Sequence, residues 1–380
     1  MGTTDAHGHI VKAKARLVAK GFSQQWGVDF LEVFSPTANT ATIRLVDPCV
    51  MRMMMDGTLT GIVVIHVDDV IFAGGSSVSK IVVKALNDTL PTKHLGELTW
   101  YMGIEFKRDR KAGTVEMSQS SYIRSILERF NVFRTSPIPA SPSVNLRAIN
   151  EKNVEDVPFC EVVGSLMWIA NQTRPDIANA VRAVARHSHE PKEVHWKAAQ
   201  KILAYLRATA HLGITYHAKS DVGVNVEVYV DANYASEDTA RRSISGAAVM
   251  CCDSPVAWFS RTQKCVTLST TEAEYVAMGD GVKEALFVQG MVEFLVPAEK
   301  LSGIRVLEDN AGAIALADNP ISSSNSKHID VRHHFLRELV DKRKIKVEHV
   351  GSEEQHADVL TKALPRATFE VHRDFLLGIK

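Results

Sequence analysis

The chain has 380 residues, with 44 Lys and Arg against 44 Asp and Glu. That is long enough for two or three domains with cores of their own, and the balanced charge leaves no global basic footprint, which weighs against a dedicated nucleic-acid binder. Cys49, Cys160, Cys251, Cys252 and Cys265 show neither metal-ligand nor disulfide spacing, no signal peptide is visible, and no apolar run reaches membrane-spanning length, so the composition reads as a reduced intracellular protein.

Residues 1–9 carry no pattern. Over residues 11–22, Lys12, Lys14, Arg16 and Lys20 alternate with apolar side chains, which predicts a half-buried strand with one basic face. That face is either a lysine-blunted edge or a surface that touches a nucleic-acid template. Residues 62–73 are two apolar runs around Asp68-Asp69 and predict a hairpin with the acids at its tight turn. Residues 80–130 predict a helix, a hairpin and a helix, the last with Ile123, Ile126, Leu127 and Phe130 on one face. Residues 135–142 are rich in proline and read as a linker. Residues 159–216 are mostly helical, and Pro175 fits a first helical position. Arg182, Arg186, Lys192, Lys197, Lys201 and Arg207 make this part basic, which solvated helix faces explain as well as nucleic-acid contact does. His187, His189 and His195 lack a cysteine or carboxylate at ligand spacing and read as surface or capping histidines.

From residue 224 the order is strand, strand, strand, helix, strand, helix, helix, strand, helix, which predicts a mixed sheet flanked by helices. The first of these helices opens in a capping box, Ser269 accepting a main-chain amide and Glu272 reaching back, so that Glu272 is structural and Glu274 chemical. Asp231 closes an apolar strand, Glu274 lies in the first turns of that helix, Asp309 follows a second strand, and Asp358 sits at a late helix. Acids so placed can converge on one end of a sheet. Such a cluster repels itself unless a divalent cation neutralises it, and ligands that are all oxygen suit Mg2+. Taken singly, each is as well an ordinary surface carboxylate.

The wording around the acids is specific. Ser269-Thr270-Thr271-Glu272-Ala273-Glu274-Tyr275-Val276-Ala277, Glu308-Asp309-Asn310-Ala311-Gly312-Ala313-Ile314, Lys327-His328-Ile329-Asp330-Val331-Arg332 and Ala357-Asp358-Val359-Leu360-Thr361-Lys362 occur in this order. Together they resemble the ribonuclease H domain of copia-type (Ty1/copia) retrotransposon polyproteins. The rest of the chain, from about Ile10, resembles the reverse transcriptase of the same polyprotein with a piece missing. The resemblance implies an α/β (α+β) chain in three parts. These are a truncated reverse transcriptase with palm and thumb remnants over 1–134, a linker and helical connection over 135–217, and a ribonuclease H-like mixed five-stranded sheet with flanking helices over 218–380. It implies hydrolysis of the RNA strand of an RNA/DNA hybrid, with Asp231, Glu274, Asp309 and Asp358 holding two Mg2+ ions (Mn2+ as the alternative). His356 would shuttle a proton or relay product release, or else cap its loop. Arg332 and His333, with Lys12 and Lys14 at the other end of the chain, would meet the nucleic acid; Lys342-Arg343-Lys344 equally offsets a helix macrodipole.

On the polymerase side, His66-Val67-Asp68-Asp69 stands where the family has Tyr-Val-Asp-Asp. Asp47-Pro48-Cys49-Val50 follows the fingers-like segment at once, so the palm segment with the first catalytic aspartate is missing and the junction falls near Val46. Polymerase metals are held jointly by both sides of that site, so Asp68 and Asp69 read as a polymerase remnant. The open alternatives are a non-catalytic nucleic-acid-binding or decaying fragment, and a full polymerase whose coding sequence has been wrongly joined. The expected partners are hybrid nucleic acid and an intact copy of the polyprotein, in a cytoplasmic virus-like particle or the nucleus, with no membrane.

Overall fold

The computed structural model describes residues 2–4, 10–13, 50–56, 58–66, 69–89, 92–146, 152–218, 224–236, 241–296, 301–318 and 327–379. Two short strands, β1 (Gly2–Thr4) and β2 (Ile10–Ala13), pair antiparallel. A three-stranded antiparallel sheet follows: β3 (Val50–Met55), β4 (Thr58–His66) and β5 (Asp69–Gly74), with His66 opposite Asp69 at the expected hairpin. Helix α1 (Ser76–Thr89) leads to β6 (Trp100–Tyr101), β7 (Ile104–Asp109) and β8 (Thr114–Ser118). Helix α2 (Ser120–Arg129) buries Ile123, Ile126 and Leu127, the face that its periodicity marks.

The helical stretch consists of α3 (Phe159–Gln172), a 3-10 turn at Pro175–Ile177 that starts on its proline, α4 (Ala178–Ala185) and α5 (Glu193–Ala208). His195 caps α5: its Nδ1 accepts from the Lys192 amide, and its ring stacks on His187 at 3.6 Å. It is buried rather than on the surface. One strand departs from the expected helical run. Residues Ile214–His217 form β9, which pairs antiparallel with β8 and completes a four-stranded sheet.

The largest sheet holds β10 (Val226–Asn233), β11 (Ile244–Cys251), β12 (Ser254–Thr262), β13 (Ile304–Glu308) and β14 (Ile345–His349). Its order is β12-β11-β10-β13-β14; the first three strands run antiparallel, and β13 and β14 continue parallel to β10. Helices α6 (Thr270–Leu295), α7 (Ala311–Asp318) and α8 (Lys327–Asp341) fill the intervals, and α9 (Arg366–Leu377) follows two short 3-10 segments, Ser352–Glu354 and His356–Leu360. This is the mixed five-stranded sheet with flanking helices that the strand pattern predicts. The α6 cap is nearly the expected one: the Glu272 amide donates to Ser269 Oγ, while Glu272 Oε2 accepts from the amide of Leu268, one residue earlier than a capping box requires.

Alternation decides which side chains go where. Val226, Val228 and Val230 of β10 face α6 in a core with Met278, Val282 and Val306. Ala248 and Met250 of β11 face the other way and join α2, α3, α4, α5 and α9 in a second core. Trp258 of β12 lies against that core and donates from Nε1 to the carbonyl of Ala170 in α3 at 2.8 Å. The helical stretch and the large sheet therefore share one hydrophobic core. Among the described residues, no helix is long and apolar enough to cross a membrane.

Candidate active site

The carboxyl ends of β10 and β13 lie side by side at the centre of the large sheet as a parallel pair. Asp231 occupies the end of β10, and Asp309 follows the last residue of β13 directly. Helix α6 brings the third acid. A Cβ on Gly281 would lie 2.5 Å from Val230 Cγ1, so the missing side chain lets the helix lie close on the sheet. Glu274 is seven residues, two turns, before Gly281 and shares its sheet-facing side. One carboxylate oxygen from each of Asp231, Glu274 and Asp309 falls within 4.8 Å of the others.

These acids are held against their own repulsion. Asp231 is 1% exposed. Burial, with Asp358 nearby, pushes its carboxyl up to about 6, although Lys362 pulls the other way. Glu274 is pushed up to about 10, first by burial and then by Asp231, Glu308 and Asp309. Its Oε2 is buried without a hydrogen-bond partner. Glu308, which the sequence reading passed over, is fully buried, and burial drives its carboxyl well above the usual range. Glu308 Oε1 accepts from the Asn310 amide at 3.0 Å, and its Oε2 has no partner. Asn310 in turn caps α7, its Oδ1 accepting from Ala313. A centre with two buried, unpartnered carboxylate oxygens and three convergent acids fits a hard divalent cation.

Asp358 is near but not part of the three-acid group. Its link to Asp231 runs through Lys362, whose Nζ lies 3.1 Å from Oδ1 of Asp231 and 2.9 Å from Oδ1 of Asp358. Thr361 Oγ1 donates to the other oxygen of Asp231. This segment is seated by two devices. Gln355, fully buried, donates from Nε2 to the carbonyl of Val230 at 2.9 Å. Gly246, opposite Asp231 in the ladder, leaves room for the turn, since a Cβ there would meet Thr361 Cγ2 at 2.7 Å and Leu360 Cβ at 2.9 Å. Gln355 and Gly246 have no part in the sequence-based site, and Thr361 and Lys362 stand there only as wording around Asp358, with no role of their own.

The structure does not bring His356 to the acids. Its ring stacks on Phe375 at 3.5 Å, meets Tyr229 edge-on, and its Nδ1 lies 3.1 Å from Nδ1 of His372. Burial and His372 lower its pKa to about 4, so it stays neutral in this aromatic cluster. Asp69 is exposed at the start of β5, and Asp68 lies outside the described residues. Lys12 is in β2 and Lys14 lies outside the described residues; Arg332 and His333 are in α8, but their side chains are outside the described set.

No family model matches the chain. The Retrovirus-related Pol polyprotein from transposon TNT 1-94 of Nicotiana tabacum is 29% identical over 463 residues, covering 98% of this chain and 34% of that protein. The corresponding polyprotein from transposon RE2 of Arabidopsis thaliana is 28% identical, covering 96% of this chain and 30% of that protein. A putative transposon Ty5-1 protein of Saccharomyces cerevisiae is 27% identical over 61% of this chain and 76% of its own length. The chain thus spans about a third of the length of the plant polyproteins it matches. Among solved structures, RNase H1 from Halobacterium salinarum aligns with 36% of this chain and 94% of its own at 17% identity and a TM-score of 0.27. The foamy viral protease-reverse transcriptase in complex with RNA/DNA hybrid aligns with 76% of this chain and 36% of its own at 13% identity and a TM-score of 0.46. At these scores the likeness adds nothing to the strand order. Along nearly its whole length, the chain is similar to the retrovirus-related Pol polyproteins of the transposons TNT 1-94, RE1 and RE2.

Proposed function

We propose that residues 218–380 hydrolyse the RNA strand of an RNA/DNA hybrid, and that residues 1–134, a truncated reverse transcriptase, do not extend a primer. The observation that carries the nuclease reading is the meeting of Asp231, Glu274 and Asp309, from three separate elements, with the unpartnered Oε2 of Glu274 buried beside them. Asp231, Glu274 and Asp309 would hold the metal, with Asp358 as a fourth ligand. Paired Mg2+, or Mn2+ in its place, supplies Lewis acidity on both sides of a phosphodiester when bound. The chain's own part is positional. The β10 and β13 ends fix two carboxylates on rigid backbone, α6 fixes the third, and the buried floor strengthens their field by excluding water. Ser352 Oγ donates to Oδ2 of Asp309 at 3.2 Å and orients that carboxylate. Hybrid would be recognised by shape and ribose 2′-hydroxyls rather than by base sequence, with Arg332, His333, Lys12 and Lys14 as candidate contacts.

The polymerase reading is supported by the alignment itself. It runs over 463 residues against a chain of 380, so the tobacco relative has residues within the aligned region that have no counterpart here. The β3–β5 sheet also leaves Met51, Met54 and Met55 exposed, as a palm stripped of a neighbouring segment would. The test is one incubation of the purified full chain with end-labelled hybrid and, separately, with a primed template and nucleotides. The expected result is Mg2+-dependent RNA cleavage without primer extension. Cleavage that persists in Asp231→Asn removes the site assignment, and extension of the primer removes the truncated-polymerase reading.

A further inference from the structure

We propose that Lys362 is a resident counter-cation of the acidic centre, and that a divalent cation shared by Asp231 and Asp358 binds by exchange with its ammonium rather than by simple addition. This rests on the metal-site reading above and specifies how that site fills.

Both oxygens of Asp231 are engaged: Oδ2 accepts from Thr361 Oγ1, and Oδ1 pairs with Lys362 Nζ at 3.1 Å. The same Nζ is 2.9 Å from Asp358 Oδ1. One ammonium thus sits between the two carboxylates that a bridging cation would need. Two cations cannot share that position, because their repulsion in a partly dry site is strong. The arrangement is built in. Lys362 follows the 3-10 segment His356–Leu360, its amide donates to the Asp358 carbonyl at 2.9 Å, and the turn is pinned to β10 by Gln355 and seated against Gly246. The side chain is nevertheless 37% exposed, on a flexible four-carbon stem, so the ammonium has a route to water when it is displaced. Asp231, at 1% exposure, has no such route and depends on a partner.

The exchange predicts two results with the full chain. First, calorimetric titration with MgCl2 should give Lys362→Met a higher affinity than the unaltered chain, by about tenfold, while its thermal midpoint in EDTA falls. Lys362→Arg should keep both near the unaltered values. Second, an amine-acylating reagent followed by peptide mapping should modify Lys362 of the unaltered chain slowly in EDTA and several-fold faster with Mg2+. This measurement needs no variant to fold. Equal or weaker Mg2+ binding in Lys362→Met, or labelling that Mg2+ leaves unchanged or slows, overturns the proposal. Asp231→Asn and Glu274→Gln in the same titration separate the two failures. If they lose Mg2+ binding while Lys362→Met matches the unaltered chain, only the role of Lys362 falls. If the unaltered chain takes up no Mg2+, the metal reading falls with it.

Discussion

A carboxylate whose folded pKa is raised binds its proton more tightly in the folded state than in the unfolded chain. Asp231 and Glu274 are both of this kind, at about 6 and about 10. Their contribution to stability is therefore present below the ordinary carboxylate range and is lost as pH rises through those folded values. In EDTA, the unfolding free energy from urea titration should fall between about pH 5 and pH 8, by an amount on the order of 2 kcal/mol, and Mg2+ should restore it at the higher pH. Glu274→Gln should flatten this slope. Glu308→Gln offers a sharper check. The amide oxygen still accepts from Asn310 but carries no charge into a fully buried place. It should stabilise the metal-free protein by about 1 kcal/mol at pH 8 and by almost nothing at pH 5, as read by urea unfolding at the two values. The acids that end strands or open a helix were legible because position along an element predicts position in a sheet. Thr361, Lys362 and Gln355 were not, because nothing local tells a threonine near a turn that it will lie over an aspartate 130 residues away.

Elements bring their residues to the site only if they approach closely enough. Gly281 in the middle of α6 costs helix propensity, about 1 kcal/mol relative to alanine, yet a Cβ there would intrude to 2.5 Å on Val230. Gly281→Ala should therefore destabilise the protein by about 1–3 kcal/mol despite the better helix former. It should also slow hybrid cleavage by as much as about a hundredfold by lifting Glu274 off the sheet; urea unfolding and single-turnover cleavage read the two effects. Unchanged stability would mean that α6 does not need that contact. The strands and helices of the carboxy-terminal part followed from period and capping alone. Strand β9 did not. It is only four residues long, and its partner β8 lies about a hundred residues earlier, so no local pattern marks the pairing.

At the scale of the molecule, the helical stretch before residue 217 and the large sheet after it bury each other's apolar surface. Ala248, Met250, Val359, Leu360, Phe369 and Leu376 sit in the same core as Ile123, Leu166, Ile202 and Tyr205. A fragment of residues 218–380 alone would bare that face. It should unfold at lower urea than residues 92–380 and bind a hydrophobic dye at neutral pH, as measured by fluorescence during titration; equal midpoints for the two fragments would show that the shared core contributes little. The helices of this stretch were legible from periodicity, but their joint core with the sheet was not, since a buried stripe does not name the surface that covers it.

That common interior bears on how such a chain can be shortened. Excisions upstream of β6 remove sequence outside this core, whereas one that parts the α2–α5 bundle from the sheet opens apolar surface on both sides of the cut. Genomic copies that have shed their polymerase but still cleave hybrids should therefore end their deletions ahead of Trp100, and reading the breakpoints in a set of degenerate copies would reveal that bias.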